Sequence, residues 1–320
     1  MMRLALGRLA LAISLACAAG AHAQYPAKPI RLVVPLPAGG TVDTAARLIA
    51  QPMSAALGQP IIVENRVGAD GAIAASLVAK SAPDGYTLLL ASNGQIVAVP
   101  QLRANPPYDP LKDFTAIALL NRYNFFVFAH GGLPVNSVAE LVAYAKANPG
   151  KLEVGTGTAS GTVAAAAFKS MTGIDMVQIP YKGDVAALAD LAQGRIKVLF
   201  STPIGVTGFI KDGRIKGLAA LLPQRSALLP EVPTMAEAGL PKFTISSWGG
   251  LFGPAGMPPD VVERLSREAN AALRRPEVIE GLTRQNVIAQ GTGSEEFTAF
   301  VKEQYAAWGQ AIREAGIKPE

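Results

Sequence analysis

Short apolar runs alternate along this chain with stretches whose apolar residues recur at helical spacing, the pattern of an α/β architecture. The first run, Leu32 to Val34, stops at Pro35 and passes through Leu36, Pro37, Ala38, Gly39 and Gly40. Helical sequence then starts at Thr41 to Asp43, with Val42, Ala45, Ala46, Ile49, Met53 and Ala56 on one face. Pro52 falls inside that pattern and should kink or shorten the helix, and Gly58 should end it. Ile61 to Val63 is the next strand, and Gly68 and Gly71 lead into a helix over Ala72 to Lys80. Pro83-Asp84-Gly85 reads as a turn. Tyr86 to Leu90 reads as a buried strand that ends at Ser92-Asn93.

Phe114 to His130 is one long apolar stretch, interrupted by Asn121 to Asn124, as expected of a chain that leaves one lobe and enters another. A second βα block follows. Ser137 and Glu140 make a capping box for a helix to Ala147. Strand Leu152 to Val154 leads into the loop Gly155 to Thr162, and an Ala-rich helix runs to Met171. Strands over Met176 to Ile179, Ile196 to Phe200 and Ile215 to Leu221 flank a helix from Ala186 to Ala192, and Thr234 with Glu237 predicts one more short helix. Ser246 to Phe252 reads as a return strand, followed by helices over Asp260 to Leu273, Glu277 to Arg284 and Ser294 to Glu314. The expected organisation is a leader at 1–23, a discontinuous lobe from 24–124 and 246–320, and a second lobe at 125–245.

The leader changes the chemistry available. Arg3 and Arg8 precede an apolar segment, Leu9 to Ala19, and Ala21-His22-Ala23 fits a small-x-small cleavage signal, so export with a cut before Gln24 is expected. Cys17 offers a lipoprotein alternative, although Ser14 stands where such signals favour leucine. Cleavage removes the single cysteine and with it disulfide and thiolate chemistry. It also takes the formal charge from +5 to +3, spread along the chain without the basic cluster of a nucleic-acid footprint.

Catalytic readings lack parts. His130 is the single histidine left after cleavage, and no zinc-type cluster is spaced in the sequence. Ser160, in Gly157-Thr-Ala-Ser-Gly161, misses a nucleophile elbow by one position, so a secreted hydrolase would have to pair Ser160 with His130 across the fold. Ala38 to Thr41 lacks the Lys-Ser/Thr of a P-loop, and Gly155, Gly157 and Gly161 miss the dinucleotide spacing by one. What recurs is a small-residue loop at the carboxyl end of a strand: Thr41 and Asp43, Ser92 and Asn93, then Thr156, Thr158, Ser160 and Thr162. Ligands of open α/β sheets sit there. One helix N-terminus supplies about 0.3–2 kcal/mol, whereas micromolar binding needs about 8 kcal/mol. One loop therefore cannot hold a ligand alone, whereas loops from two lobes, with closure expelling water, could.

The segments Lys28 to Asp43, Val63-Glu-Asn-Arg66, Ala82 to Leu88, Phe168 to Gly173, Pro180-Tyr-Lys-Gly183, Pro233 to Gly239 and Pro254-Ala-Gly256 stand in an order that resembles the substrate-binding receptors of tripartite tricarboxylate transporters, the Bug family. The resemblance implies a type II periplasmic binding-protein fold, two α/β lobes around a cleft joined by crossing strands. It implies a monomeric, non-enzymatic receptor without cofactor or metal, which delivers a small organic acid to membrane subunits. A ligand sensor feeding a membrane signalling partner is the alternative. In that family the first strand–helix loop grips a carboxylate, often through ordered water, which carries over to Ala38, Gly39, Gly40, Thr41 and Asp43. Like charge makes Asp43 a brace for the loop or a holder of water. Two departures stand on the opposite lobe: Thr162 where the family often has histidine, and Ser201 where it often has aspartate. Tyr181 joins the candidate contacts, and Arg66 and Arg122 are candidate charge partners.

Overall fold

The computed structural model describes residues 25–203, 205–221, 224–241, 243, 247–314 and 316–319, and the expected leader lies outside them. Two sheets form. Strands β1 (Ile30–Val34), β2 (Ile61–Asn65), β3 (Thr87–Ser92), β4 (Phe114–Tyr123), β10 (Ser247–Pro254) and β11 (Val287–Ala289) make the first, in the order β11-β4-β10-β3-β1-β2. Strands β5 (Phe126–His130), β6 (Glu153–Thr156), β7 (Val177–Pro180), β8 (Val198–Ser201) and β9 (Ile215–Ala220) make the second, in the order β7-β6-β8-β5-β9. β4 and β5 are consecutive but lie in different sheets, so the chain crosses between lobes at Asn124 and Phe125. β10 returns to pair antiparallel with both β3 and β4.

Each sheet is covered on both faces, as expected of parallel βα units. On one face of the first sheet, helix α1 (Thr41–Leu57) packs Val42, Ala45, Ile49 and Met53 with Leu32, Leu88 and Leu90. Helices α8 (Pro259–Leu273) and α9 (Pro276–Arg284) complete that layer. The other face holds helix α2 (Ala72–Ala79), the short helix α3 (Val99–Leu102, entered through a π turn at Gly94–Ala98) and the terminal helix α10 (Ser294–Glu314). There Trp248, Phe252 and Phe297 form an aromatic core, Trp248 and Phe297 meeting edge-on at 5.7 Å. In the second lobe, helices α4 (Val138–Ala147) and α5 (Ala159–Thr172) cover one face of the sheet. Helices α6 (Asp184–Ala192) and α7 (Val206–Lys211) cover the other.

Several local expectations need correction. Pro52 neither ends nor shortens α1, which runs unbroken for 17 residues to a left-handed Gly58 (φ 71°). Burial of Met53 and Leu57 beyond the proline holds the last turn in place. Helix α5 starts at Ala159, so Ser160, Gly161 and Thr162 lie in its first turn and not in a loop. Thr158 is the cap, extended at φ −147° and accepting from Gly161 N at 3.2 Å. The Thr234/Glu237 box forms reciprocally, at 2.7 and 3.2 Å, but closes only a turn before Gly239 at φ 91°. The segments Gly94–Leu102, Val206–Lys211 and Val287–Ala289 were not anticipated as elements.

Candidate functional site

The junction after β1 is a helix N-terminus without a side-chain cap. Gly40 is the capping residue (φ −73°, ψ 166°) and has no side chain to offer. The first-turn N–H groups of an α-helix have no intrahelical acceptor, so those of Thr41, Val42 and Asp43 keep their donor capacity together with the positive end of the dipole. The N–H groups of the two loop glycines do not. Gly39 N donates to Asp43 Oδ2 at 2.9 Å, and Gly40 N to Pro37 O at 3.3 Å. The N–H groups left without an acceptor are thus one residue further into the helix than the glycine-rich loop suggested. Ala38 and Gly39 sit exposed at the tip, and Gly39 holds φ +79°, a conformation open to glycine.

Asp43 is the brace. Its Oδ2 also accepts from Arg47 Nε at 3.0 Å, and its Oδ1 accepts from Asn65 Nδ2 at 2.9 Å. Asn65 ties the same cluster to the Leu36 carbonyl at 3.0 Å. Burial alone would raise the Asp43 carboxyl, but the hydrogen bonds from Arg47, Gly39 and Asn65 outweigh it and hold the group below the usual aspartate range. The negative charge is therefore fixed and neutralised behind the loop, which leaves the α1 N-terminus electropositive toward the cleft.

The second lobe meets this end of the first through two hydrogen bonds. Thr41 Oγ1 lies 3.1 Å from Thr202 Oγ1, one residue past the predicted Ser201. Asn93 Nδ2 donates to Ser160 Oγ at 3.0 Å, while Asn93 Oδ1 accepts from Ser247 Oγ (2.8 Å) and Trp248 N (3.2 Å). Asn93 is fully buried, and its amide holds three elements together. Ala159 and Val163 of α5 join the aromatic core of the first lobe.

The remaining sequence candidates separate by position. Ser92 is locked inside its own turn, donating to Gln95 Oε1 at 3.0 Å and accepting from Gly94 N at 3.2 Å. Ser201 is fully buried with its hydroxyl on the Thr202 carbonyl. Tyr181 points to Asp190 Oδ2 on α6 at 2.9 Å, and Thr158 is the α5 cap. Thr162 bonds back to the Thr158 carbonyl and lines a cavity of about 460 Å³ with Asp70, Arg103 and Lys318, a lining that does not include Thr41. Arg66 pairs with Glu64, and Arg122 reaches Gln290 Oε1 at 2.6 Å, so neither arginine comes to the α1 N-terminus. His130 Nδ1 sits on the Leu191 carbonyl at 3.0 Å while Ser160 is held by Asn93, so no serine–histidine pair forms. Sequence reasoning missed Thr202, Asp184 and Gly157. A signal for them existed in the Gly183-Asp184 helix start and the β8 end, where the same strand–loop–helix logic applies.

Comparisons with known proteins agree on one family. The model described as tripartite tricarboxylate transporter family receptor matches residues 45–317. Protein BugT of Bordetella pertussis (strain Tohama I) is 35% identical over 298 residues, covering 92% of this chain and 91% of that protein. Among solved structures, R. palustris Rpa4515 with adipate is 33% identical with a TM-score of 0.87, covering 92% of this chain and all of that one. MatC (Rpa3494) from Rhodopseudomonas palustris with bound malate is 30% identical with a TM-score of 0.84, covering 90% and 100%.

Proposed function

The chain belongs to the tripartite tricarboxylate transporter receptor family, and on that footing we propose that it is a periplasmic receptor whose α1 N-terminus grips the carboxylate of a small organic solute. The solute is held between the two lobes, beside the point where Thr41 of the first meets Thr202 of the second, and the loaded receptor hands it to the membrane subunits of a tripartite transporter. The single observation that carries this reading is the uncapped α1 terminus, with Asp43 neutralised behind it by Arg47, Asn65 and Gly39. Support also comes from the relatives solved with adipate and malate, both small carboxylates. Export to the periplasm rests on the leader read at 1–23.

Lobe closure follows from differential affinity: a solute touching both walls favours the state in which they meet. The Thr41–Thr202 and Asn93–Ser160 bonds join the two lobes. A thermal-shift screen of the purified receptor against mono-, di- and tricarboxylates and their neutral amides tests the reading. An acid at 100 times its dissociation constant adds about 2.7 kcal/mol, a shift of several degrees. Amides that raise the melting temperature as much as their acids would remove the carboxylate grip from the account.

A further inference from the structure

The cavity of about 460 Å³ lies at a seam where three parts of the chain meet: Asp70 and Arg103 of the first lobe, Ala159 and Thr162 of the first turn of α5 in the second, and Ile317 and Lys318 beyond α10. Its lining shares no residue with the α1 N-terminus. The seam is packed on both sides of it. Ala159 and Val163 are buried in the aromatic core of the first lobe, and further along α5 Ser170 Oγ donates to the Glu314 carbonyl at 3.1 Å.

The loop that brings Asp70 to this cavity is strained. Ala69 and Asp70 stand at φ +49° and +56°, left-handed conformations uncommon for residues with side chains. Such strain persists where the surroundings over-determine it, and it clusters at ligand clamps. Here Arg103 Nη2 donates to the Ala69 carbonyl at 3.0 Å, and the buried Gln95 donates through Nε2 to the Asp70 carbonyl at 3.1 Å. Gln95 is itself fixed, in the π turn, by the Tyr108 hydroxyl on its carbonyl at 2.6 Å. Asp70 and Arg103 are thereby held side by side in one lining.

Both signs of charge stay available there. Among the described residues, Asp70, Arg103 and Lys318 form no ion pair. Thr162 commits its one hydroxyl proton to the Thr158 carbonyl at 3.3 Å and keeps its lone pairs. A bare anion would meet Asp70, and a bare cation would meet Arg103 and Lys318. A zwitterion matches both. Val99, Leu102, Ala159 and Ile317 add apolar surface for a side chain, and the volume is within the range of about 300–1,000 Å³ usual for small-molecule sites.

We propose that this cavity is a second binding site, for an α-amino acid with an apolar side chain. Its ammonium meets Asp70 and Thr162, its carboxylate meets Arg103 and Lys318, and its side chain covers the apolar part of the lining. The site stands independently of the carboxylate grip at α1.

The probe is L-leucine, set against 4-methylpentanoate, which lacks the ammonium, 3-methylbutylamine, which lacks the carboxylate, and glycine, which lacks the side chain. Calorimetric titration of the receptor at pH 7.5 should show saturable leucine binding at least about tenfold tighter than any of the three, since each leaves part of the lining unmatched. Asp70→Asn, a change that left-handed φ tolerates, should weaken leucine at least about fivefold without weakening 4-methylpentanoate. Lys318→Gln should weaken leucine without weakening 3-methylbutylamine. Leucine that fails to bind at millimolar concentration, or binds no tighter than 4-methylpentanoate, overturns the inference in the wild type alone. So does leucine binding that neither variant changes. Amide chemical shifts locate the occupant: leucine should move Asp70, Arg103 and Thr162. A titration that moves only Thr41 to Asp43 would assign leucine to the α1 site, ending this inference and leaving the grip intact.

Discussion

Replacing Asp43 with alanine separates the brace from the grip. The substitution strips one carboxylate of three donors: Gly39 N, Arg47 and Asn65 Nδ2. Hydrogen bonds to a charged acceptor contribute about 1.5–3 kcal/mol each. Arg47 is half exposed at 52%, so its share is reduced to about 0–1 kcal/mol by solvent. Gly39 lies at the exposed loop tip and regains water when released, which leaves a net cost of about 2–3 kcal/mol centred on Asn65 and the loop. At roughly 2 °C per kcal/mol for a chain of this size, the melting temperature should fall by about 4–6 °C. The loop should also lose its fixed geometry. A factor of about ten in solute affinity corresponds to only about 1.4 kcal/mol of lost preorganisation. Scanning calorimetry and titration with a bound acid read the two effects. The stability gap has a defined pH window: the Asp43 carboxyl is depressed in the fold, so its contribution is present above the unfolded value near 3.8 and disappears as pH falls through the folded value. An Asp43→Ala receptor with wild-type melting temperature and affinity at pH 7 would refute the brace.

Three further outcomes follow. Asn93→Ala removes the amide that joins Ser247, Trp248 and Ser160, at about 3 kcal/mol for three lost bonds. It should enlarge the radius of gyration measured by small-angle scattering, because one lobe-to-lobe link is gone; an unchanged radius and affinity would count against that link. Asp184 titrates in the opposite sense to Asp43. Burial raises its folded value to about 6, so the fold loses stability as pH rises from about 4 to 6, by about 3 kcal/mol in all. The melting-temperature advantage of Asp184→Asn at pH 7.5 should therefore shrink by pH 5, and a constant difference would contradict the burial argument. Gly157→Ala places a Cβ 2.5 Å from Asp184 Oδ1 and 2.6 Å from the Gly183 backbone, so it should cost about 1–3 kcal/mol in a melting experiment; a neutral substitution would mean that Asp184 is packed more loosely than these distances imply.

Much of the architecture was legible because burial dictates it. Alternating apolar runs located β1, β3, β4, β5 and β10, and the polar break Asn121 to Asn124 marked where the chain changes sheets. The elements that escaped are short or rest on tertiary support. The Gly94–Leu102 segment helps to cover the sheet face beneath α10, and β11 pairs only at an edge of the sheet. At the site, the first strand–helix junction could be found from residue type, but the state of each N–H could not. Gly39 N is consumed by a carboxylate four residues ahead, a matter of side-chain orientation that spacing does not reveal. Ser201 turns its hydroxyl onto the Thr202 carbonyl, and it is Thr202, just past the end of β8, that meets Thr41, an orientation spacing does not reveal. Asp184 was passed over because its burial comes from the Gly157 loop, distant in sequence.

The central claim is that the first-turn amides of α1 hold the solute carboxylate. Titration of the isotope-labelled receptor with a binding acid, followed by amide nitrogen and proton chemical shifts, tests it directly. The account predicts saturable downfield proton shifts at Thr41, Val42 and Asp43, with smaller changes at Gly39 and Gly40, whose N–H groups already have partners. A tightly bound acid that leaves the Thr41 to Asp43 amides where they were would contradict it.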